Sequence, residues 1–195
     1  MPVTYADKPW IKQYDQGIPA AIEIPDYPLH QFLIDSAQKY PDHTAIIFKD
    51  KTLTYRQLDE LTDAFAAGLA ANGFKKGDRA VIYTANTPQF VISYFGILKA
   101  GGIAIATNPL YTERELEHQL ADCGAETVIV MSRYYPLLKR VQKSGKTNVK
   151  RIIATNIKEY FPGFLKILFT LLVEKKEGDR VNLEAGDMWF QDFIA

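Results

Sequence analysis

The sequence predicts an α/β fold: a mainly parallel sheet flanked by helices, with an opening β-hairpin. Three observations predict it. Short β-rich apolar runs recur at 80–84, 103–107, 127–131 and 151–155. Segments with apolar residues at helical spacing lie between them, several opening on a capping pattern and closing on glycine. Strand–helix–strand repeats of this kind take right-handed crossovers, which set parallel strands side by side beneath helices.

Each element has its own signals. Residues 28–40 place Leu29, Phe32, Leu33, Ala37 and Tyr40 at helical spacing, with Asp26 before them and Pro41 after. The runs Thr44–Phe48 and Thr52–Tyr55 surround the polar Lys49-Asp50-Lys51 and read as a hairpin. A long helix follows: Thr54 and Gln57 have the capping-box spacing, Leu58, Leu61, Phe65 and Leu69 share a face, and Gly73 suits the left-handed position after the last turn. The turn 75–79 leads to the strand 80–84. Thr87-Pro88 is a cap followed by proline at the first helical position. The helix it opens, Gln89–Lys99, is apolar nearly all round and is expected to be buried. Ala100-Gly101-Gly102 ends it before the strand 103–107. Thr112 and Glu115 form a second capping box, Leu116, Leu120 and Cys123 fall on one stripe, and Gly124 closes that helix. The strand 127–131, a basic helix from about Tyr134 and the strand 151–155 complete the pattern. Parallel sheets bind ligands beyond the C-terminal ends of their strands. Those ends are Thr84-Ala85-Asn86, Thr107-Asn108-Pro109 and Met131-Ser132-Arg133, although polar residues there are also ordinary loop chemistry.

Composition excludes several classes. With 47% hydrophobic residues in 195, the chain can build a real core, and 12% aromatic residues argue against disorder. The lone Cys123 forms no internal disulfide, and no Cys/His spacing suggests a metal site, so a reducing, cytoplasmic compartment fits best. The N-terminus has mixed charge and no apolar core of a secretory signal. No apolar run reaches the roughly 18–20 residues of a spanning helix; Phe161–Val173 is too short and carries Lys166. Formal net charge is zero, and no nucleic-acid partner is expected. Charge is unevenly spread, however. From Arg133 to Arg180 twelve Lys or Arg stand against four Asp or Glu, and between Arg133 and Arg151 there are seven basic residues and no acidic one. This stretch reads either as a solvated helix and loop or as a surface that meets phosphate, in a cofactor tail or an anionic lipid.

The usual catalytic fingerprints are missing. Neither GxxxxGK[ST] nor GxGxxG occurs, and there is no G-x-S-x-G nucleophile elbow. His30, His43 and His118 have no nucleophile or acid partner placed for them, and Cys123 reads as a small core residue. No catalytic and no metal-ligating residue is assigned.

Three short motifs carry a resemblance. They are Leu53-Thr54-Tyr55-Arg56-Gln57-Leu58, Lys76-Gly77-Asp78-Arg79-Ala80-Val81 and Leu98-Lys99-Ala100-Gly101-Gly102. In this order and spacing, with Pro88-Gln89-Phe90 and Asn108-Pro109-Leu110-Tyr111-Thr112, the stretch 53–130 resembles the acyl-CoA synthetase, adenylation-domain and luciferase superfamily. The run from Asn108 through Arg114-Glu115-Leu116 and His118-Gln119-Leu120 to Gly124-Ala125 is similar to long-chain fatty acid–CoA ligases. The resemblance implies the N-terminal part of the large domain of such an enzyme: 1–26 an extended lead-in, 27–155 the α/β core, 156–195 an apolar, basic helical insertion and tail. It also implies an enzyme that activates a fatty acid with ATP and Mg2+ to an acyl-adenylate and passes the acyl group to CoA. The family's phosphate loop, magnesium-placing pair, ribose-binding Asp and C-terminal lysine have no counterpart here, so these residues alone are expected to be inactive. Two roles carry over: Asn108, Pro109, Leu110 and Tyr111 near the pantetheine tunnel, and Arg133 with Lys139 or Arg140 near the phosphates of CoA. Alternatives are an aryl-CoA ligase, a carrier-protein adenylation domain, or a non-catalytic module docking to a membrane or partner.

The segment Phe161–Lys176 is set apart by its pattern. Lys166 and Thr170 alone are polar within its apolar run, and they lie four residues apart on one helical face. It reads either as a helix packed on the body of the protein or as one lying in a membrane interface, with Lys166, Lys175 and Lys176 near anionic headgroups. Apolar surface left uncovered on this chain would favour self-association.

Overall fold

The computed structural model describes residues 4–195. The elements run α1 (Gln31–Lys39), β1 (Thr44–Phe48), β2 (Lys51–Thr54), α2 (Tyr55–Ala71), β3 (Arg79–Tyr83), α3 (Pro88–Lys99), β4 (Ile103–Ala106), α4 (Glu113–Cys123), β5 (Thr127–Met131), α5 (Tyr135–Lys143), β6 (Arg151–Thr155), α6 (Gly163–Leu172), β7 (Met188–Trp189) and α7 (Phe190–Phe193). Strands β1 and β2 pair antiparallel. The other five form one parallel sheet in the order β4-β3-β5-β6-β7. This is the α/β class the sequence predicts.

Alternation along the strands divides the core in two. Ala80, Ile82, Ile129 and Ile153 face a cluster built with Phe65 and Leu69 of α2, Ile92 and Ile97 of α3, and Phe190 and Phe193 of α7. Val81, Tyr83, Val128, Val130, Ile152 and Ala154 face Leu116 and Leu120 of α4 and Leu138 and Val141 of α5. Both faces of β5 are therefore covered, and every residue of that strand is buried.

Local chemistry fixes the element ends. Thr54 Oγ1 accepts from the Gln57 backbone N–H at 3.2 Å while Gln57 Oε1 accepts from the Thr54 N–H at 3.0 Å, closing the expected box at the start of α2. Thr112 and Glu115 do the same for α4. The hairpin turns on two residues, Lys49 and Asp50, with φ of 49° and 65°. Lys51 pairs with Phe48 in the ladder, so the turn is shorter than the three polar residues suggest.

Other departures are instructive. Of the lead-in, residues 1–3 lie outside the described residues; the remainder is not wholly extended but forms one-turn helices at Tyr5–Asp7 and Pro9–Gln13, the first closed by a Thr4–Asp7 box and the second opened by proline. Helix α3 is buried on one side only: Ile92, Gly96 and Ile97 are covered, whereas Phe90, Val91, Tyr94 and Phe95 are half-covered because no second layer lies over them here. Residues 188–189, read from sequence as part of a helical insertion and tail, return to the sheet as β7 beside Ile153 and Ala154. Two residues are too few for any periodicity to reveal.

Candidate functional site

The C-terminal rim of the parallel sheet is where ligands meet folds of this class, and here it is chemically distinct. Tyr83 ends β3, Thr87 opens α3, Gln89 and Ser93 occupy its first two turns, and Thr107 follows β4. The Tyr83, Thr87, Ser93 and Thr107 hydroxyls and Gln89 Oε1 are all buried with no hydrogen-bond partner among the described residues. An unmet buried polar group costs about 1–3 kcal/mol, and Gln119 Oε1 and Thr147 Oγ1 are buried without a partner among the described residues in the same way. Burial, reinforced by the neighbouring Tyr134, pushes the Tyr83 phenol up to about 12. Beside this rim an apolar groove of about 270 Å³ runs between Ile46, Ile47 and Phe48 of β1 and the start of α3. The strand-end residues Thr84, Asn86 and Thr107 were legible in sequence. Tyr83, Gln89 and Ser93 were not, since they sit inside apolar runs.

A half-buried carboxylate lies just beyond the end of β6. Glu159 accepts from the Asn156 backbone N–H at 2.8 Å, Thr155 Oγ1 at 2.7 Å, Gln191 Nε2 at 3.1 Å and Gln89 Nε2 at 3.4 Å. Burial nevertheless raises its pKa above the ordinary carboxylate value, the hydrogen bonds opposing it. Gln89 Nε2 also donates to the Asn156 carbonyl at 3.0 Å, linking α3 to the end of β6.

The basic stretch is matched by carboxylates from elsewhere in the chain. Arg133 donates from Nη2 and Nε to Asp179 at 2.6 and 3.3 Å, and Ser132 Oγ donates to the same carboxylate at 3.1 Å. Asp179 is fully buried, and its bond with Arg133 is the main cause holding the guanidinium pKa above its usual value. Lys139 reaches Asp187 at 2.9 Å and Arg140 reaches Glu113 at 2.7 Å. Lys143, Lys146 and Lys150 pair with Glu184, Glu117 and Glu126. Arg151 donates to Thr127 Oγ1 at 2.7 Å and to the Asn72 carbonyl. The positive window is thus a pairing surface whose partners lie outside it in sequence.

The expected site residues fall in three separate places. Lys139 and Arg140 line a groove of about 390 Å³ with Tyr135, Lys143, Val181 and Glu184. Arg133 does not line it and faces Asp179 and Glu177 instead. Asn108 to Tyr111 form the loop after β4: Asn108 Oδ1 accepts from the Leu110 N–H at 3.0 Å, Leu110 is 82% exposed, and Tyr111 packs against the second core cluster. Among the described residues no cluster of three or more His, Cys, Asp or Glu could hold a metal.

Helix α6 buries none of its residues. It is fastened by its polar stripe, where Thr170 Oγ1 accepts from Lys158 Nζ at 3.1 Å, and the Thr170 carbonyl accepts from Arg180 at 2.7 Å. No helix among the described residues is long and apolar enough to cross a membrane.

Comparison with known proteins bears on this arrangement. A family model described as AMP-binding enzyme matches residues 33–170. Over 173 residues the chain is 43% identical to a long-chain-fatty-acid–CoA ligase of Bacillus subtilis, covering 88% of this chain and 30% of that protein. It is 39% identical over 153 residues to the enzyme of the same name from Yersinia pestis, covering 77% of this chain and 27% of the relative. The chain therefore spans about a third of the length of these curated relatives or less. Among solved structures, a long-chain-fatty-acid-CoA ligase from Archaeoglobus fulgidus superposes with a TM-score of 0.66 at 27% identity, over 73% of this chain and 30% of that one.

Proposed function

The chain belongs to the AMP-binding enzyme family, and from that premise we propose that it is the N-terminal part of the large domain of a long-chain fatty acid–CoA ligase. In this reading 1–26 lead in, 27–155 form the α/β core, and 156–195 form the insertion and tail. The 43% identity over 173 residues to a ligase of that name is the observation that carries it. A fatty acid carboxylate is a poor electrophile. Its attack on the α-phosphorus of ATP, with magnesium assisting, expels pyrophosphate and gives an acyl-adenylate. The CoA thiol then displaces AMP, a far better leaving group than oxide, to form the thioester. The compartment proposed is the cytoplasm.

This chain contributes walls to that reaction. The unpartnered polar atoms of Tyr83, Thr87, Gln89, Ser93 and Thr107 suit a rim finished by substrate or by further protein. Asn108 to Tyr111 would border the pantetheine path, with Leu110 offered to it. Arg133, Lys139 and Arg140 would supply positive potential near the CoA phosphates. Arg133 and Lys139 hold buried carboxylates, so Arg140, on an exposed ion pair that solvent screens, is the cation best able to donate to a phosphate. Magnesium and the ATP phosphates have no residues assigned here.

The test is pyrophosphate release by the natural full-length protein with a long-chain fatty acid, ATP, magnesium and CoA. Fatty acid-dependent release is expected, with none from residues 1–195 alone. Release with an aryl acid or an amino acid but with no fatty acid would transfer the chain to the aryl-CoA ligases or the carrier-protein adenylation domains. Release by residues 1–195 alone would overturn the division of labour proposed.

A further inference from the structure

We infer that α6 is a membrane-seating element, lying flat in the interfacial layer of an anionic bilayer with its apolar face in the acyl region. The inference stands on the geometry of this helix and needs no substrate, so it does not depend on the ligase reading.

The helix is mounted the wrong way round for water. A surface helix ordinarily turns its apolar stripe inward and its polar one outward. Here the polar residues 166, 170 and 174 follow one another at four-residue steps. Their side faces the protein: Thr170 is bonded by Lys158 and Arg180, Glu174 is buried in ion pairs with Lys158 at 2.6 Å and Arg180 at 3.4 Å, and Lys166 borders the small cavity beneath, with Asn156 and Asp179. Phe169 is the main apolar anchor, edge-on to Phe161 at 5.4 Å. Outward point Phe164, Ile167, Leu168, Leu171 and Leu172, with Phe164 80% and Leu171 74% exposed.

Length and charge choose the occupant. Ten residues span about 15 Å, half of a hydrocarbon core of about 30 Å, so the helix can lie in the interface and cannot cross. Lys175 and Lys176, just beyond the run, are exposed, placed to reach phosphate headgroups while the leucines insert. A protein-facing patch would be expected to be poor in lysine. The charge complement therefore favours an anionic lipid surface over a second polypeptide.

The experiment uses the natural full-length protein and vesicles of phosphatidylcholine, pure or mixed equally with phosphatidylglycerol. Flotation with the mixed vesicles is expected, weakened by added salt and weak with phosphatidylcholine alone. Leu168→Glu should weaken it by about tenfold or more while leaving the thermal melt unchanged, because that face is exposed on this chain. In a second variant, Leu171→Trp, brominated lipids should quench emission beyond that of the parent protein. Absence of flotation, flotation unaffected by Leu168→Glu, or no added quenching at position 171 overturns the inference. So does a lower melting temperature for Leu168→Glu, which would show α6 covered by another part of the protein or a second copy.

Discussion

Replacing Gly96 with alanine tests how closely α2 and α3 pack behind the sheet. A Cβ at position 96 would lie 2.7 Å from Phe65 Cδ1, 3.0 Å from Phe65 Cβ and 3.1 Å from the Thr62 carbonyl oxygen. Phe65 cannot swing aside, because it is fully buried and held between Phe190 at 5.3 Å and Phe193 at 5.2 Å. The clash with Phe65 Cβ and with a backbone oxygen requires the helices themselves to separate. Overpacking of this kind costs about 2–3 kcal/mol at the upper end of its usual range. Alanine returns about 1 kcal/mol in helix propensity. The net loss is about 1–2 kcal/mol, a fall in melting temperature of roughly 2–8 °C for a protein of this size. The same change at Gly163, where an added Cβ meets nothing within 4 Å and φ is not left-handed, is the control. Urea unfolding followed by far-UV circular dichroism should show a lower midpoint with unchanged slope for Gly96→Ala and no loss for Gly163→Ala. If Gly96→Ala is as stable as the parent, the interhelical packing argued here is wrong.

Asp179→Ala should leave Arg133 and Ser132 without their common anchor. Because the Arg133 side chain is 32% exposed and can rehydrate, the loss should be about 2 kcal/mol, below the 3–5 kcal/mol of a fully enclosed pair. Faster tryptic cleavage after Lys175 and Lys176 should accompany it in limited proteolysis; unchanged cleavage and stability would reduce the pair to decoration. Glu159 gives a pH prediction. Its folded-state pKa is raised, so its contribution is fully present below the ordinary value of 4.5 and is lost as pH rises through the folded pKa. Glu159→Gln should therefore gain on the parent protein, in melting temperature, from acid towards neutral pH. A constant difference between the two proteins across that range would refute the assignment.

The sequence by itself determined the class and the elements from α1 to β6. Thr54 with Gln57 and Thr112 with Glu115 announce two helix starts, because a capping box needs only residues three apart. Alternating strand and helix patterns announce the parallel sheet, since chain chirality leaves few other arrangements. The family motifs were legible too, being local strings in fixed order. What lay beyond local reading was pairing at a distance. The seven cations between Arg133 and Arg151 read equally as a solvated face or a phosphate surface, and Asp179, Asp187, Glu113 and Glu184 reach them from as far as 48 residues away in sequence. Two residues at Met188–Trp189 become a strand only because Ile153 and Ala154 offer them an edge. Pattern alone also left open which side of α6 faces the protein. An amphipathic stripe states that two sides differ, whereas the tertiary structure decides which side is bound, and here Lys158, Glu174 and Arg180 hold the polar one and leave the leucines outside.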